Sequence, residues 1–254
     1  MNRTVTVRNL VLGDGITKIC VPIIAHTYEE LQRSLAQVSD SSYDLVEFRA
    51  DFYFEDDAPA LSAIRRVVGS KPILYTIRTM EEGGEIEISD DSYRERNLNA
   101  ADMADLIDIQ YERLHSGSSN HQLHSSLVGL LQAKGVKVVL SWHDFAGTPD
   151  VREMVERMKA MQREGCDLTK IAVMPICRAD VIRLMEASAE MLESGADRPF
   201  ITMSMGNLGR VTRVAGSFTG SCISFGTAGE SSAPGQIPSG ALRRILEVMG
   251  NTGL

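Results

Sequence analysis

The 254-residue chain has no apolar run of ~18 or more residues, so no segment is expected to cross a membrane as a helix. Its opening, Met1-Asn2-Arg3-Thr4, lacks the ~7–15-residue apolar core of a signal peptide, and a cytoplasmic protein is the expectation. Basic residues are the minority: 26 Lys and Arg face 34 Asp and Glu, a net charge of -8. That argues against a nucleic-acid surface but leaves room for a local basic pocket. Cysteine is scarce, with four residues and no Cys-x-x-Cys, which excludes a disulfide framework and fits a reduced compartment. Walker loops, Gly-x-Gly-x-x-Gly turns and Gly-x-Ser-x-Gly elbows are all missing. A metal set is missing too: His121 and His124 lie three apart on a predicted outer helix with no third ligand nearby, and read as surface residues.

What the chain does have is a repeat: a short apolar run, then a longer amphipathic segment. The predicted strands are Lys18–Ile24, Asp44–Ala50, Pro72–Arg78, Leu106–Tyr111, Val136–Trp142, Leu168–Ile176, Phe200–Met205 and Cys222–Gly226. Between them lie helix signals. Thr27 and Glu30 have capping-box spacing, Thr148-Pro149-Asp150 supplies a cap and a first-turn proline, and Val151, Met154, Val155, Met158 and Met161 follow at helical spacing. Strands alternating with helices imply parallel pairing. Eight units in a chain of this length match a closed (β/α)8 barrel. The competing open, doubly wound sheet usually carries a glycine-rich phosphate turn after its first strand, and here that turn is Ala25-His26-Thr27. The expectation is therefore an α/β fold, a single (β/α)8 TIM barrel domain over residues 1–254. A small N-terminal β-hairpin cap covers 1–16, and the Gly/Ser/Pro-rich loop 227–238 reads as an active-site lid.

A barrel of this kind puts its chemistry at the carboxyl ends of its strands. Lys170 heads the sixth strand, on the same side as Ala172 and Met174. A lysine denied water tends to lose its proton and can then form a Schiff base; the plain alternative is a solvated lysine just outside the strand. Glu47 and Arg49 share one face of the second strand, and Arg78 ends the third, ahead of the loop acids Glu81, Glu82 and Glu85. His143 falls where the fifth strand yields to its loop, placed to shuttle protons. Met203 and Met205 end the seventh strand as an apolar wall, and Arg210 and Arg213 beyond it are candidates for an anion. An amine, an imidazole, acids and arginines together fit imine chemistry on a small anionic carbonyl compound.

Seven segments, in order, resemble type I 3-dehydroquinate dehydratases: Thr4–Arg8, Val46–Asp51, Arg78 with Glu82–Glu85, Ser141–Phe145, Lys170–Pro175, Ile201–Met205 and Ser232–Gln236. The resemblance covers nearly the whole chain. It implies a homodimeric (β/α)8 lyase of the shikimate route to aromatic amino acids. Such a hydro-lyase dehydrates 3-dehydroquinate to 3-dehydroshikimate with no metal and no organic cofactor. It further implies that Lys170 forms the iminium, that His143 acts as base and then acid, and that Glu82 orients and charges that histidine. By the same resemblance, Arg213 binds the substrate carboxylate with Ser232 and Gln236 closing over it. Glu47, Arg49 and Arg78 hold ring hydroxyls, and Met203, Met205 and Phe225 pack the ring. Three positions depart from some relatives: Pro22 replaces a serine, Trp142 an asparagine, and Glu230 adds charge to the lid. A class I Schiff-base aldolase on the same barrel is the rival. It also uses a sixth-strand lysine, but acts on sugar phosphates and lacks the paired histidine and acid.

Overall fold

A computed structural model describes residues 4–115, 126–228 and 235–250. His121, His124, Glu230 and Ser232 lie outside these residues.

The hairpin comes first: β1 (Val5–Val7) pairs antiparallel with β2 (Leu10–Leu12) through a turn in which Arg8 takes φ 53. Eight strands follow, β3 (Lys18–Ile23), β4 (Leu45–Arg49), β5 (Ile73–Thr76), β6 (Leu106–Gln110), β7 (Lys137–Asp144), β8 (Leu168–Val173), β9 (Phe200–Ser204) and β10 (Ile223–Phe225). They form one parallel sheet in the order β10-β3-β4-β5-β6-β7-β8-β9. A bridge between Phe200 and Ser221 and the Cys222 N–H on the Phe200 carbonyl (2.9 Å) draw the two ends together, so the barrel is nearly closed.

Helices fill the crossovers in chain order. They are α1 (Tyr28–Ser39), α2 (Asp57–Val68), α3 (Asp90–Ala100), the short α4 (Tyr111–His115), α5 (Leu127–Ala133), α6 (Val151–Arg163), α7 (Arg178–Glu190), α8 (Arg210–Val214), α9 (Gly216–Thr219) and α10 (Ser239–Gly250). Their starts are set by side chains that accept orphan N–H groups: Thr27 from Glu30, Asp56 from Ala58, Ser89 from Ser92 and Asp150 from Glu153. The longer helices turn apolar residues, such as Leu31, Leu35 and Val38 of α1, onto the outward face of the sheet.

Strand ends differ from expectation by one to three residues, for local reasons. β8 stops at Val173: the Met174 N–H makes the last ladder bond, to the Asp144 carbonyl, shares itself with the Gly147 carbonyl, and Pro175 then has no N–H to give. β7 runs on to Asp144, paired with Val173, so His143 lies inside a strand and not at its junction with a loop. The helix α7 ends at Glu190 and continues as one wide turn, Met191–Gly195. Two short helices, α8 and α9, follow one another after β9.

Two-residue alternation sorts the barrel interior into layers. At the amino end, Cys20, Leu45, Leu74, Leu106, Val139, Leu168 and Ile201 form an apolar floor, and Val7 and Leu12 of the hairpin pack against it. One step up, every inward position from β4 to β8 is polar: Glu47, Thr76, Asp108, Ser141 and Lys170, all buried. Barrel interiors of this class are ordinarily filled by bulky branched residues. Five buried polar side chains in a ring cost desolvation free energy unless each finds a partner. Those partners build the site.

Candidate active site

Lys170 is 4 % exposed and points inward. Its Nζ lies 3.1 Å from Asp108 Oδ2, 3.7 Å from Glu47 Oε1 and 4.9 Å from the Phe225 ring centre. The amine is stripped of water, and two carboxylates pair with it. Asp108 is the residue sequence reasoning passed over. It is fully buried and holds two cations: its other oxygen accepts from Arg78 at 2.8 Å and from the Ser141 hydroxyl at 2.5 Å. Burial pushes its carboxyl up, but Arg78 and then Lys170 pull further down, so it stays ionised. The available signal was the alternation Leu106-Asp108-Gln110, which sets an acid on the inward face of an otherwise apolar strand.

Arg78 is the hub. One nitrogen donates to Glu82 Oε2 (3.1 Å) and to Ser141 Oγ (2.9 Å), the other to Asp108. Burial works against its charge, but Asp108 and Glu82 outweigh it and hold the guanidinium charged. Glu82 sits on a single 3-10 turn, Met80–Glu82, and its Oε2 also meets His143 Nδ1 at 2.9 Å. With Nδ1 engaged there, Nε2 is left for substrate. Burial first, then Arg78, Lys170 and Arg49, keep the imidazole well below its usual range and hence neutral. Burial raises the Glu82 carboxyl to about 7, against the pull of Arg78.

Two glycines let that turn reach the histidine. Gly83 has φ 78, and a Cβ there would lie 2.4 Å from the Phe145 ring; at Gly84 a Cβ would lie 1.8 Å from the Arg78 carbonyl oxygen. The Gly84 contact is with backbone, which cannot swing aside. Gly84→Ala is expected to cost about 1–3 kcal/mol of stability and to draw Glu82 off His143. Thermal melts and kcat check this: both fall together if the turn is displaced.

A cavity of about 490 Å³ opens over this cluster at the carboxyl end of the barrel. Glu47, Arg49, Arg78, Glu82, His143 and Lys170 all line it, as do Met203, Met205, Phe225, Arg213 and Gln236. Every predicted site residue within the described chain thus meets in one place. Pro22 lines it too, presenting a ring where a hydroxyl would donate. Arg49 is clamped in two-point fashion by Asp51, at 2.9 and 2.7 Å. Glu47 accepts from the Thr76 hydroxyl at 2.9 Å. Arg213 differs from the other cations. It is buried, donates to the Phe225 carbonyl (3.1 Å), has no carboxylate within ion-pair distance among the described residues, and its Nε has no partner. Burial and then Arg210 lower its pKa, so an anion arriving here would relieve both.

An amine, an imidazole–carboxylate pair and an unmatched guanidinium facing one cavity can together form an imine, move a proton beside it and hold an anionic substrate. The family model described as type I 3-dehydroquinase matches residues 19–252. The chain belongs to the type I 3-dehydroquinase family. It is 44% identical to the 3-dehydroquinate dehydratase of Syntrophotalea carbinolica, over 97% of this chain and 98% of that protein. It is 41% identical to the one from Klebsiella pneumoniae, over 98% of this chain and all of that protein, 100%. The Clostridium difficile type I 3-dehydroquinate dehydratase, solved with covalently modified comenic acid, superposes with a TM-score of 0.93 at 37% identity, covering 100% of both chains. A 3-hexulose-6-phosphate synthase from Salmonella typhimurium covers 91% of this chain and 98% of its own with a TM-score of 0.58 at 16% identity, a likeness of fold alone. Among the described residues of this 3-dehydroquinase, no helix is long and apolar enough to cross a membrane.

Proposed function

We propose that this type I 3-dehydroquinase dehydrates 3-dehydroquinate to 3-dehydroshikimate, in the shikimate route, through an imine on Lys170. The observation that carries the reading is the Lys170 amine sharing one cavity with the His143–Glu82 pair. The amine adds to the substrate ketone and the adduct loses water, leaving an iminium. Its positive nitrogen acidifies the adjacent C–H by drawing in the electron pair. His143 takes that proton on Nε2 and gives it to the departing hydroxyl, which leaves as water. A second water then hydrolyses the conjugated imine and frees the lysine. Asp108 and Glu47 hold Lys170 in place, and Glu82 fixes the ring of His143 and stabilises its charged form. Glu47, Arg49 and Arg78 address ring hydroxyls while Met203, Met205 and Phe225 pack the ring.

Arg213 takes the carboxylate as a planar fork, with Gln236 and Ser232 of the loop 227–238 covering that end. The whole chain works as one catalytic domain, capped at its floor by the hairpin. The family resemblance supports a homodimer, and the scarce cysteines without a Cys-x-x-Cys support the cytoplasm. Arg213→Ala is expected to raise KM by about 2–4 kcal/mol, roughly 30- to 1000-fold, with a smaller change in kcat. Steady-state kinetics decide, and an unmoved KM would place the carboxylate elsewhere. The reading as a whole is tested by borohydride reduction followed by intact mass. 3-Dehydroquinate should add its mass to Lys170 and sugar phosphates should not; the reverse outcome selects the aldolase.

A further inference from the structure

A second cavity, of about 540 Å³, lies outside the barrel wall between the carboxyl ends of β6 and β7 and the starts of α3 and α4. It is lined by Glu81, Asp90, Gln110, Glu112, Arg113 and Trp142, together with Glu82 and His143. Those last two are the only described residues that also line the substrate cavity. The catalytic pair thus borders both spaces. Glu82 uses one carboxylate oxygen for both Arg78 and His143, while the other, Oε1, is buried with no partner at full hydrogen-bond geometry, and the Gln110 side chain beside the carboxyl favours its charged form. A buried carboxylate oxygen short of a well-formed hydrogen bond costs free energy that water in an adjoining polar space would recover.

We infer that this rear cavity is a solvent-filled path by which the His143–Glu82 pair exchanges protons with bulk water while substrate occupies the front. The inference rests on the proposed roles of that pair. Its chemical logic lies in the proton balance. Imine formation, elimination and hydrolysis consume and release no net proton, so His143 must enter each step in the right form. A covalent adduct fills the front cavity and blocks the pair's access to water there. An adduct formed with the imidazole already protonated would stall unless that proton could leave by another way.

The rear supplies one: with Glu82 protonated on Oε1, the ring Nδ1–H passes to Oε2 as the Oε1 proton leaves to water in the cavity, so the imidazole loses its charge and the carboxyl stays neutral. Glu81 and Glu112 stand exposed at its mouth, where negative charge concentrates protons. Asp90 is tied to Arg113 at 2.8 Å, and Glu112 to Arg157, which stacks on Trp142 at 4.0 Å. The charges acting on Glu82 come from Arg78 on one side and from Asp108 and Glu112 on the other; burial dominates and brings the carboxyl to about 7, where it trades protons at neutral pH.

The test uses the full-length protein with Lys170 reductively trapped on 3-dehydroquinate, so that the front is filled. Exchange of the His143 ring N–H with water is followed by nitrogen-resolved NMR. In the parent adduct that proton should exchange rapidly. Glu112→Trp, which plugs the mouth, should slow it by about tenfold or more. Glu112→Gln preserves shape and removes a charge that raises Glu82. It should move the acid limb of kcat roughly half a pH unit lower and leave KM unchanged. A ring N–H that exchanges slowly in the parent adduct, or at the same rate in a folded Glu112→Trp protein, overturns the rear path. If Glu112→Trp does not fold, an unmoved acid limb in Glu112→Gln does so. Failure to trap any adduct removes the imine reading itself, and this inference with it; a trapped adduct with a sealed pair removes only this inference.

Discussion

Lys170→Ala is expected to form no adduct with 3-dehydroquinate under borohydride and to lose about 10^4- to 10^6-fold in kcat. The size of the effect follows from what the amine does. Without it the substrate C–H faces only a ketone, and the cation that stabilises the departing electron pair never forms. Nothing else described in the cavity can replace it: the other cations there are the guanidiniums Arg49, Arg78 and Arg213, which are not nucleophiles. The substitution also removes one partner of a buried cluster. Asp108 keeps Arg78 and Ser141, at 2.8 and 2.5 Å, so its charge is not abandoned and the protein should still fold. Circular dichroism with mass spectrometry separates the two effects. A folded variant with parent-like turnover would end the imine mechanism.

His143→Ala is expected to retain the first covalent step and stall at the second. The lysine and its carboxylates are untouched, so an adduct should accumulate and be visible by intact mass even without reductant. Turnover should fall by about 10^2- to 10^4-fold, the usual contribution of a positioned acid–base group. The variant leaves Glu82 paired with Arg78 at 3.1 Å, which keeps the turn in place. The pattern sought is thus the opposite of that for Lys170→Ala: adduct without product, against neither. Absence of adduct in a folded His143→Ala protein would count against a role confined to the steps after imine formation.

Much of this was legible in the chain. Alternation in Leu45-Val46-Glu47-Phe48-Arg49 already separated inward charges from outward apolar residues, and the strand–helix count already required parallel pairing. The order of seven motifs carried the family. What stayed hidden has one kind of cause. Asp108 sits alone among Leu106, Ile107 and Ile109, and nothing local distinguishes a catalytic-cluster acid from a structural one. Only the register, which sets Ser141 beside Lys170 and Leu74 beside Leu106, brings Asp108, Arg78 and Lys170 within reach of each other. The extension of β7 through His143 was likewise invisible, because the pairing of Asp144 with Val173 depends on a strand whose position the chain between them does not state.

By itself, the sequence determined the period of every element, which faces are apolar, the chemical types available and the family they belong to, since these depend on neighbours within a few residues. The tertiary structure alone decided that Lys170 meets two carboxylates, that Arg213 meets none among the described residues, and that His143 and Glu82 stand between two cavities. Distances between side chains 60 or more residues apart, such as the 61 separating Glu82 from His143, are fixed by how strands pair and close. Coulombic and hydrogen-bond energies vary steeply with those distances, so the chemistry of the site exists only once the barrel does.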